Sequence, residues 1–411
     1  MIFGQGHSLA GKEMKLSKLP NLKAGHWNLG ESLYGAIRFY RGDSDNDRSD
    51  TMGLIAQMDA HEWDVLLEFV DHHRVAADFA HWINNVLEAQ VPLSIQRSLV
   101  NSKLDGRKRD DELFVELKAI ARILTEQNIP YVILKGAALI AAGYYRFPGQ
   151  RLVMDIDLLV DREDLDRTYD ALVGLGFSTE LRLSRPIESY WNSKHLPPMV
   201  SDKFRYCIEC HWKHFENTFQ YTAPFDTREV LQYRVKVLLE GEPVYVPSTT
   251  HLLLSAFYHS QIFDAHAFTR SDNYRAMLDT SRMLEKGDRD IDWEFINERV
   301  IEKNYQANFE YFMARASNKY GGELPLFITE GESANTSKIW PGFRSHRGRR
   351  LLASTIVHMR ELCRALSPKG RKERKQLLKA NPDNWKYEPV YKQFLNPILL
   401  FKRLEFLFKR R

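Results

Sequence analysis

The stretch Met154-Asp155-Ile156-Asp157-Leu158-Leu159-Val160 constrains this chain more than any other. It is a short apolar run bounded by charge, the pattern of a buried strand, and two aspartates stand inside it. Side chains two apart on a strand share a face, so Asp155 and Asp157 converge while Met154, Ile156 and Leu158 turn towards a core. Two carboxylates on one rigid face repel each other unless a cation sits between them. Hard oxygen donors in that arrangement favour Mg²⁺ or Mn²⁺.

The same D-x-D spacing occurs twice elsewhere with ordinary explanations. Asp43, Asp45 and Asp47 in GDSDND resemble a calcium loop, but Arg48 and Leu54 occupy the positions that need Gly and Glu. A solvated loop is expected there, interrupting a helical N-terminal region. Asp290 and Asp292 in GDRDIDW open a helix, where acidic side chains suit the positive end of the helix dipole.

A second feature lies upstream. IPYVILKG reads as a buried strand ending at Gly136, and AALIAAGYY follows at once as a helix. Amide groups at a helix N-terminus can receive phosphate, Gly136 permits close approach, and Lys135 adds a point charge. A plain strand-to-helix turn has the same appearance, and the G-x-x-x-x-G-K-[ST] pattern of a P-loop is absent.

RYCIECHWKHF contains Cys207-Ile208-Glu209-Cys210-His211, which matches the C-x-x-C-H pattern of haem attachment. Alternation on a strand puts Cys207, Glu209 and His211 on one face and Tyr206, Ile208, Cys210 and Trp212 on the other. The two cysteines then point apart and cannot share an ion, so neither haem nor zinc is expected. His211 either holds Glu209 in place, contacts an acceptor or phosphate, or is an ordinary hydrogen-bonded histidine.

Helical periodicity covers the first ~110 residues and resumes after STTHLLLSAFYHSQ, where Thr249 or Thr250 serves as N-cap. The expected organisation is a helical region over 1–108, an α/β core over 109–247, a helical domain over 248–340 and a basic helical tail over 341–411. With 44% apolar and 27% charged residues the chain has a soluble globular profile. No apolar run reaches the ~20 residues of a membrane span. Three cysteines and an N-terminus without a secretory h-region point to a reducing cytoplasm.

LKGAAL, then Arg151, then DIDLLV, then IECHW together resemble the polymerase-β-type nucleotidyltransferase superfamily. More narrowly they resemble a family of uncharacterised nucleotidyltransferases with an L-K-G segment, R-x-x-x-D-I-D-L-L-V and a later E-x-H-W. VPSTTHLLLSAFYHSQ, MLDTSRML and IDWEFI are similar to that family's helical half. The resemblance implies an α+β fold, a polymerase-β-like core with a mixed sheet and flanking helices, set between N- and C-terminal helical regions. It implies transfer of a nucleoside monophosphate from an NTP to an acceptor hydroxyl, with pyrophosphate released. Asp155, Asp157 and Glu209 would bind two Mg²⁺ or Mn²⁺ ions, with Glu209 as a proton acceptor. Lys135, Gly136 and Arg151 would contact the NTP. The superfamily's small pair after the first strand is Gly-Gly or Gly-Ser. Here it is Gly136-Ala137, so the serine hydroxyl is missing and Lys135 and Arg151 are expected to replace its contact. His259 and Asp279 fall at family-like positions, where packing and capping are the simpler roles.

The acceptor is not written in these motifs. Family context favours a sugar, glycolipid or other small molecule, as in polysaccharide biosynthesis. RNA, tRNA or protein modification of the toxin or defence type is the alternative, as is a catalytically silent nucleotide-binding scaffold. Between Ser345 and Arg411 there are 18 Lys and Arg against 5 Asp and Glu. That tail suits a solvated helical face, an anionic membrane surface touched from the cytoplasm, or RNA.

Overall fold

A computed structural model describes residues 29–34, 45–83, 91–187, 193–215, 223–264, 272–287 and 290–325, with isolated residues between and beyond them. The basic tail lies outside the described residues, and with it the expected membrane or RNA contact. Among the described residues no helix is long and apolar enough to cross a membrane.

The N-terminal region is helical, with α1 over Asp45–Gln57, α2 over Ala60–His72, α3 over Ala76–Trp82 and α4 over Leu93–Glu126. Helix α1 begins inside the stretch expected to be a loop, because the aspartates of DNDRSD suit the start of a helix. Helix α2 opens with a capping box: Asp59 accepts from the Glu62 amide and Glu62 accepts from the Asp59 amide. Helix α4 runs unbroken across position 108, where a boundary was expected. Gly106 sits mid-helix because Gly149 crosses it there; a Cβ would come within 2.7 Å of the Gly149 carbonyl oxygen. Asp110, one helical turn on, accepts a 2.7 Å hydrogen bond from the Gly149 amide and pins the crossing.

The core sheet has three strands in the order β1 (Tyr131–Ile133), β2 (Asp155–Val160) and β3 (Cys207–His211). Strand β1 is antiparallel to β2, with Tyr131 opposite Val160, and β3 is parallel to β2, so the sheet is mixed. Helix α5 (Lys135–Ala141) follows β1, and α6 (Leu165–Gly174) follows β2. After α7 (Thr227–Gln232) a hairpin of β4 (Val235–Leu239) and β5 (Glu242–Val246) packs on α4 and β1. The hairpin turns at Glu240-Gly241, both at positive φ (51° and 89°), which matches the twist of its strands.

The C-terminal half comprises α8 (Thr249–Phe257), which continues as a π-helix over Tyr258–Phe263, then α9 (Tyr274–Gly287), α10 (Trp293–Glu302) and α11 (Gln306–Tyr320). Ser248, not Thr249 or Thr250, caps α8 by accepting from the His251 amide. The threonine hydroxyls are engaged elsewhere, Thr249 with Tyr144 and Thr250 with the backbone of Asp290 and Asp292. Asp292 caps α10, as the GDRDIDW pattern implied. One hydrophobic cluster runs from Trp63 and Phe69 through Val132, Ile156 and Leu158 to Phe257 and Phe312. The helical regions and the sheet therefore share a core.

Glu116, on the buried face of α4, accepts the backbone amides of Arg205 and Tyr206 and so fixes the chain entering β3. Burial pushes its carboxyl up to about 7, against those hydrogen bonds. The folded state thus holds a proton that the unfolded chain has released above about 4.5. This contribution to stability is complete at low pH and is lost as pH rises through about 7. Glu116→Gln should remove it: across pH 5 to 8 the stability of the native chain should fall by about 2–3 kcal/mol relative to the variant. Denaturant titrations at fixed pH steps measure the difference.

Candidate active site

The parallel register sets Asp155 opposite Cys207, Asp157 opposite Glu209 and Leu159 opposite His211. Alternation then gathers Asp155, Asp157, Glu209 and His211 on one face, while Ile156, Leu158 and Cys210 are wholly buried on the other. Met154 departs from the expected pattern: it precedes the strand and is exposed, lining a cavity instead of the core.

Asp157 is 1% exposed and its Oδ1 accepts from Lys135 Nζ at 2.6 Å and His211 Nε2 at 2.8 Å. Against burial, these two partners hold the Asp157 carboxyl well below the usual carboxylate range. An ionised carboxylate only accepts, so the His211 proton sits on Nε2, and Nδ1 is left buried without a partner. Burial opposes the charge on Lys135, but Asp157 outweighs it and holds the ammonium above its ordinary value. Lys135 itself stands at φ +52°, a region costly for any residue with a Cβ, at the first position of α5. Strain of this kind persists where the surroundings fix a side chain for use.

Glu209 Oε2 lies 3.5 Å from His211 Nε2 and 3.7 Å from His195 Nε2. Burial works against its charge, but His211 and then His195 bring its carboxyl down to about 2. His195 in turn is lowered to about 4, first by burial and then by His211. Asp155, half-buried, is raised above the ordinary carboxylate value by burial and by Asp157. The two aspartates of the D-x-D pair therefore sit in opposite electrostatic conditions.

Ligand atoms of Asp157, Glu209 and His211 all lie within 4.8 Å of one another. The two carboxylates on one rigid sheet face suit a divalent cation such as Mn²⁺ or Mg²⁺, and His211, whose Nε2 carries the proton given to Asp157, would become a ligand only by releasing that proton. Both Lys135 and His211 use Oδ1 of Asp157, so Oδ2 is engaged by neither. The donor set fits an ion, with His211 in the compact group where Asp155 was expected. Asp155 is beside it on the same face.

Arg151 is nearly buried and bound to Asp279 through two parallel hydrogen bonds, Nε to Oδ1 at 2.7 Å and Nη2 to Oδ2 at 2.9 Å. Tyr145 donates to the same Asp279 carboxylate. Arg151 was expected to contact phosphate, and Asp279 to pack or cap. The two form one ion pair that joins the core to α9, and both line the cavity. The close approach expected at Gly136 is likewise filled by Arg151, whose Cζ would lie 3.2 Å from a Cβ built there. Because Asp279 pins Arg151, Gly136→Ala should destabilise the protein by about 1–3 kcal/mol, the usual cost of overpacking, as read by thermal unfolding.

A cleft with a cavity volume of about 160 Å³ opens between the sheet and the C-terminal helices, lined by Lys135, Arg151, Asp155, His211, His259 and Asp279 among others. His259 Nδ1 is 3.2 Å from Asp264, and burial lowers its pKa even so. Cys207 and Cys210 point to opposite faces, and burial raises their thiols to about 11 and about 12, away from the thiolate form. Trp212 is core, with Arg162 and Lys213 over its ring. Sequence reading missed His195, which comes from the irregular segment pairing with β3 through a bridge to His211. Nothing in WNSKHLPPMV marks that pairing in advance.

The chain matches the family described as uncharacterised nucleotidyltransferase over residues 59–321. No curated protein matches it. It is similar to a proposed nucleotidyltransferase of Thermotoga maritima at 15% identity and TM-score 0.27, over 37% of this chain and 86% of that one. It is also similar to an antigenic nucleotidyltransferase-like protein of Paracoccidioides brasiliensis at 15% identity and TM-score 0.32, over 51% of this chain and 94% of that one. With the family's match spanning the N-terminal helices, the sheet and the helical half, the chain belongs to the uncharacterised nucleotidyltransferases.

Proposed function

We propose that the protein transfers a nucleoside monophosphate from an NTP to the hydroxyl of a small-molecule acceptor, a sugar or glycolipid headgroup by preference. The observation that carries this is the Asp157–Glu209–His211 group with Lys135 on its edge, beside a cleft that Lys135, Asp155 and His211 line. Divalent ions held by Asp155, Asp157 and Glu209, two by analogy with the superfamily, would lower the acceptor hydroxyl's pKa and offset the triphosphate's charge.

In the reaction the acceptor oxygen attacks the α-phosphorus and the bond from that phosphorus to the bridging oxygen breaks. Pyrophosphate leaves, and the hydroxyl proton passes to a carboxylate of the cluster. Lys135, partly exposed beside Asp157, is placed to neutralise the departing phosphates. His211 orients Asp157 and Glu209 through its Nε2 edge and acts as a positioning residue.

The test is pyrophosphate release from each NTP with Mg²⁺ or Mn²⁺ and a cell extract fractionated into small molecules, lipid, RNA and protein. Release driven by the small-molecule or lipid fraction supports the reading. Release driven by RNA or protein transfers the acceptor to that class, and nucleotide binding without release in any fraction supports a silent scaffold.

A further inference from the structure

The cleft carries an excess of positive charge that the proposed chemistry at Asp157 leaves unused. Four cationic side chains line it, Arg74, Lys135, Arg151 and Arg275, against two carboxylates, Asp155 and Asp279. Lys135 is committed to Asp157 and Arg151 to Asp279. Among the described residues, Arg74 and Arg275 make no salt bridge or side-chain hydrogen bond. Of the carboxylates near Arg275, Asp279 is engaged by Arg151 and Asp264 by His259, while Asp155 attracts it across the cleft without forming an ion pair. Burial, then repulsion from Arg151, pushes Arg275 down to about 10, and Arg74 adds to that repulsion.

Guanidinium groups gathered in a cleft without partners are the mirror image of the D-x-D pair: like charges that an ion of opposite sign would relieve. Arginine's planar fork is suited to phosphate. The backbone adds to this. Arg74 follows the C-cap of α2 at φ +58°, the position where glycine is favoured and a side chain costs about 1 kcal/mol. Arg275 sits at the start of α9, beside Asn273, which caps the Ala276 amide at 3.1 Å and also lines the cleft.

We infer that Arg74 and Arg275 form a phosphate-binding subsite in the cleft, built from the two helical regions and not from the nucleotidyltransferase core. It deepens the transferase reading, on which its place in a reaction rests. Its ligand is a phosphoryl group, either the polyphosphate tail of the NTP or a phosphate on the acceptor.

The subsite is testable without turnover. In EDTA, tripolyphosphate and glycerol 3-phosphate are each titrated against the full chain by calorimetry, with sodium chloride matching ionic strength. Binding is expected, weakened at least about 10-fold in Arg275→Gln and in Arg74→Gly and largely kept in Arg275→Lys. Both neutral variants should raise the melting temperature of the unliganded protein by about 2 °C, since one removes repulsion and the other backbone strain. A merely structural arginine would lower it. If tripolyphosphate competes with a non-hydrolysable NTP, the tail is the ligand. If glycerol 3-phosphate binds alongside that NTP, the acceptor's phosphate is. No binding above the salt control, or equal binding by Arg275→Gln and the native chain, overturns the subsite. Anion binding that persists where no nucleotidyl transfer is found would overturn the reaction and leave the subsite standing.

Discussion

Asp157→Asn is expected to reduce nucleotidyl transfer by at least about 10³-fold while leaving the protein folded. Asparagine keeps an Oδ1 that accepts from Lys135 and His211, the two groups that hold Asp157 at 2.6 Å and 2.8 Å. Lys135 is partly exposed, so its charge is not stranded in a dry interior. Removing the Asp157 charge also relieves its repulsion of Asp155. What is lost is the carboxylate that bonds both Lys135 and His211, and with it one of the two acidic members of the donor group. The check is paired: the rate of pyrophosphate release and the melting temperature, with a large fall in the first and a change of only a few degrees in the second.

Asp279→Ala should act in the opposite sense, chiefly on stability. It strands the Arg151 guanidinium, 7% exposed, and deprives Tyr145 of its acceptor. Breaking a buried pair by removing one partner costs about 3–5 kcal/mol. That is a large share of the ~5–15 kcal/mol that holds a protein folded. A drop of roughly 5–10 °C in melting temperature is expected. Replacing both partners, as Arg151→Met with Asp279→Leu, should recover most of the stability because no charge is left unpaired. A double variant as unstable as Asp279→Ala would show that the pair does more than satisfy itself.

The site's strand was legible in the sequence because its signal is local. DIDLLV and CIECH each alternate, and alternation alone puts Asp155 and Asp157 on one face and Glu209 with His211 on another. That these two faces are the same face follows from parallel pairing, which no local pattern encodes. Arg151 shows the limit most plainly. An arginine four residues before Asp155 reads as a phosphate contact until Asp279, 128 residues on, is found to hold it. His195 was invisible for the same reason, since its irregular segment meets β3 only in the folded chain. The charge in DGRKRDD marks a change of texture in the sequence, yet α4 runs straight through it, with Asp110 buried and Gly106 demanded by the crossing of Gly149.

The central claim is that a nucleoside monophosphate moves, and a pair of labels tests it. The chain is incubated with divalent metal, the extract fraction that supports pyrophosphate release, and the same NTP labelled at the α- or the γ-phosphate. The account predicts that the α-label becomes attached to the acceptor and the γ-label leaves as pyrophosphate, both only with metal and neither with Asp157→Asn. Attachment of the γ-label, or equal attachment of the α-label by the native chain and Asp157→Asn, would contradict it.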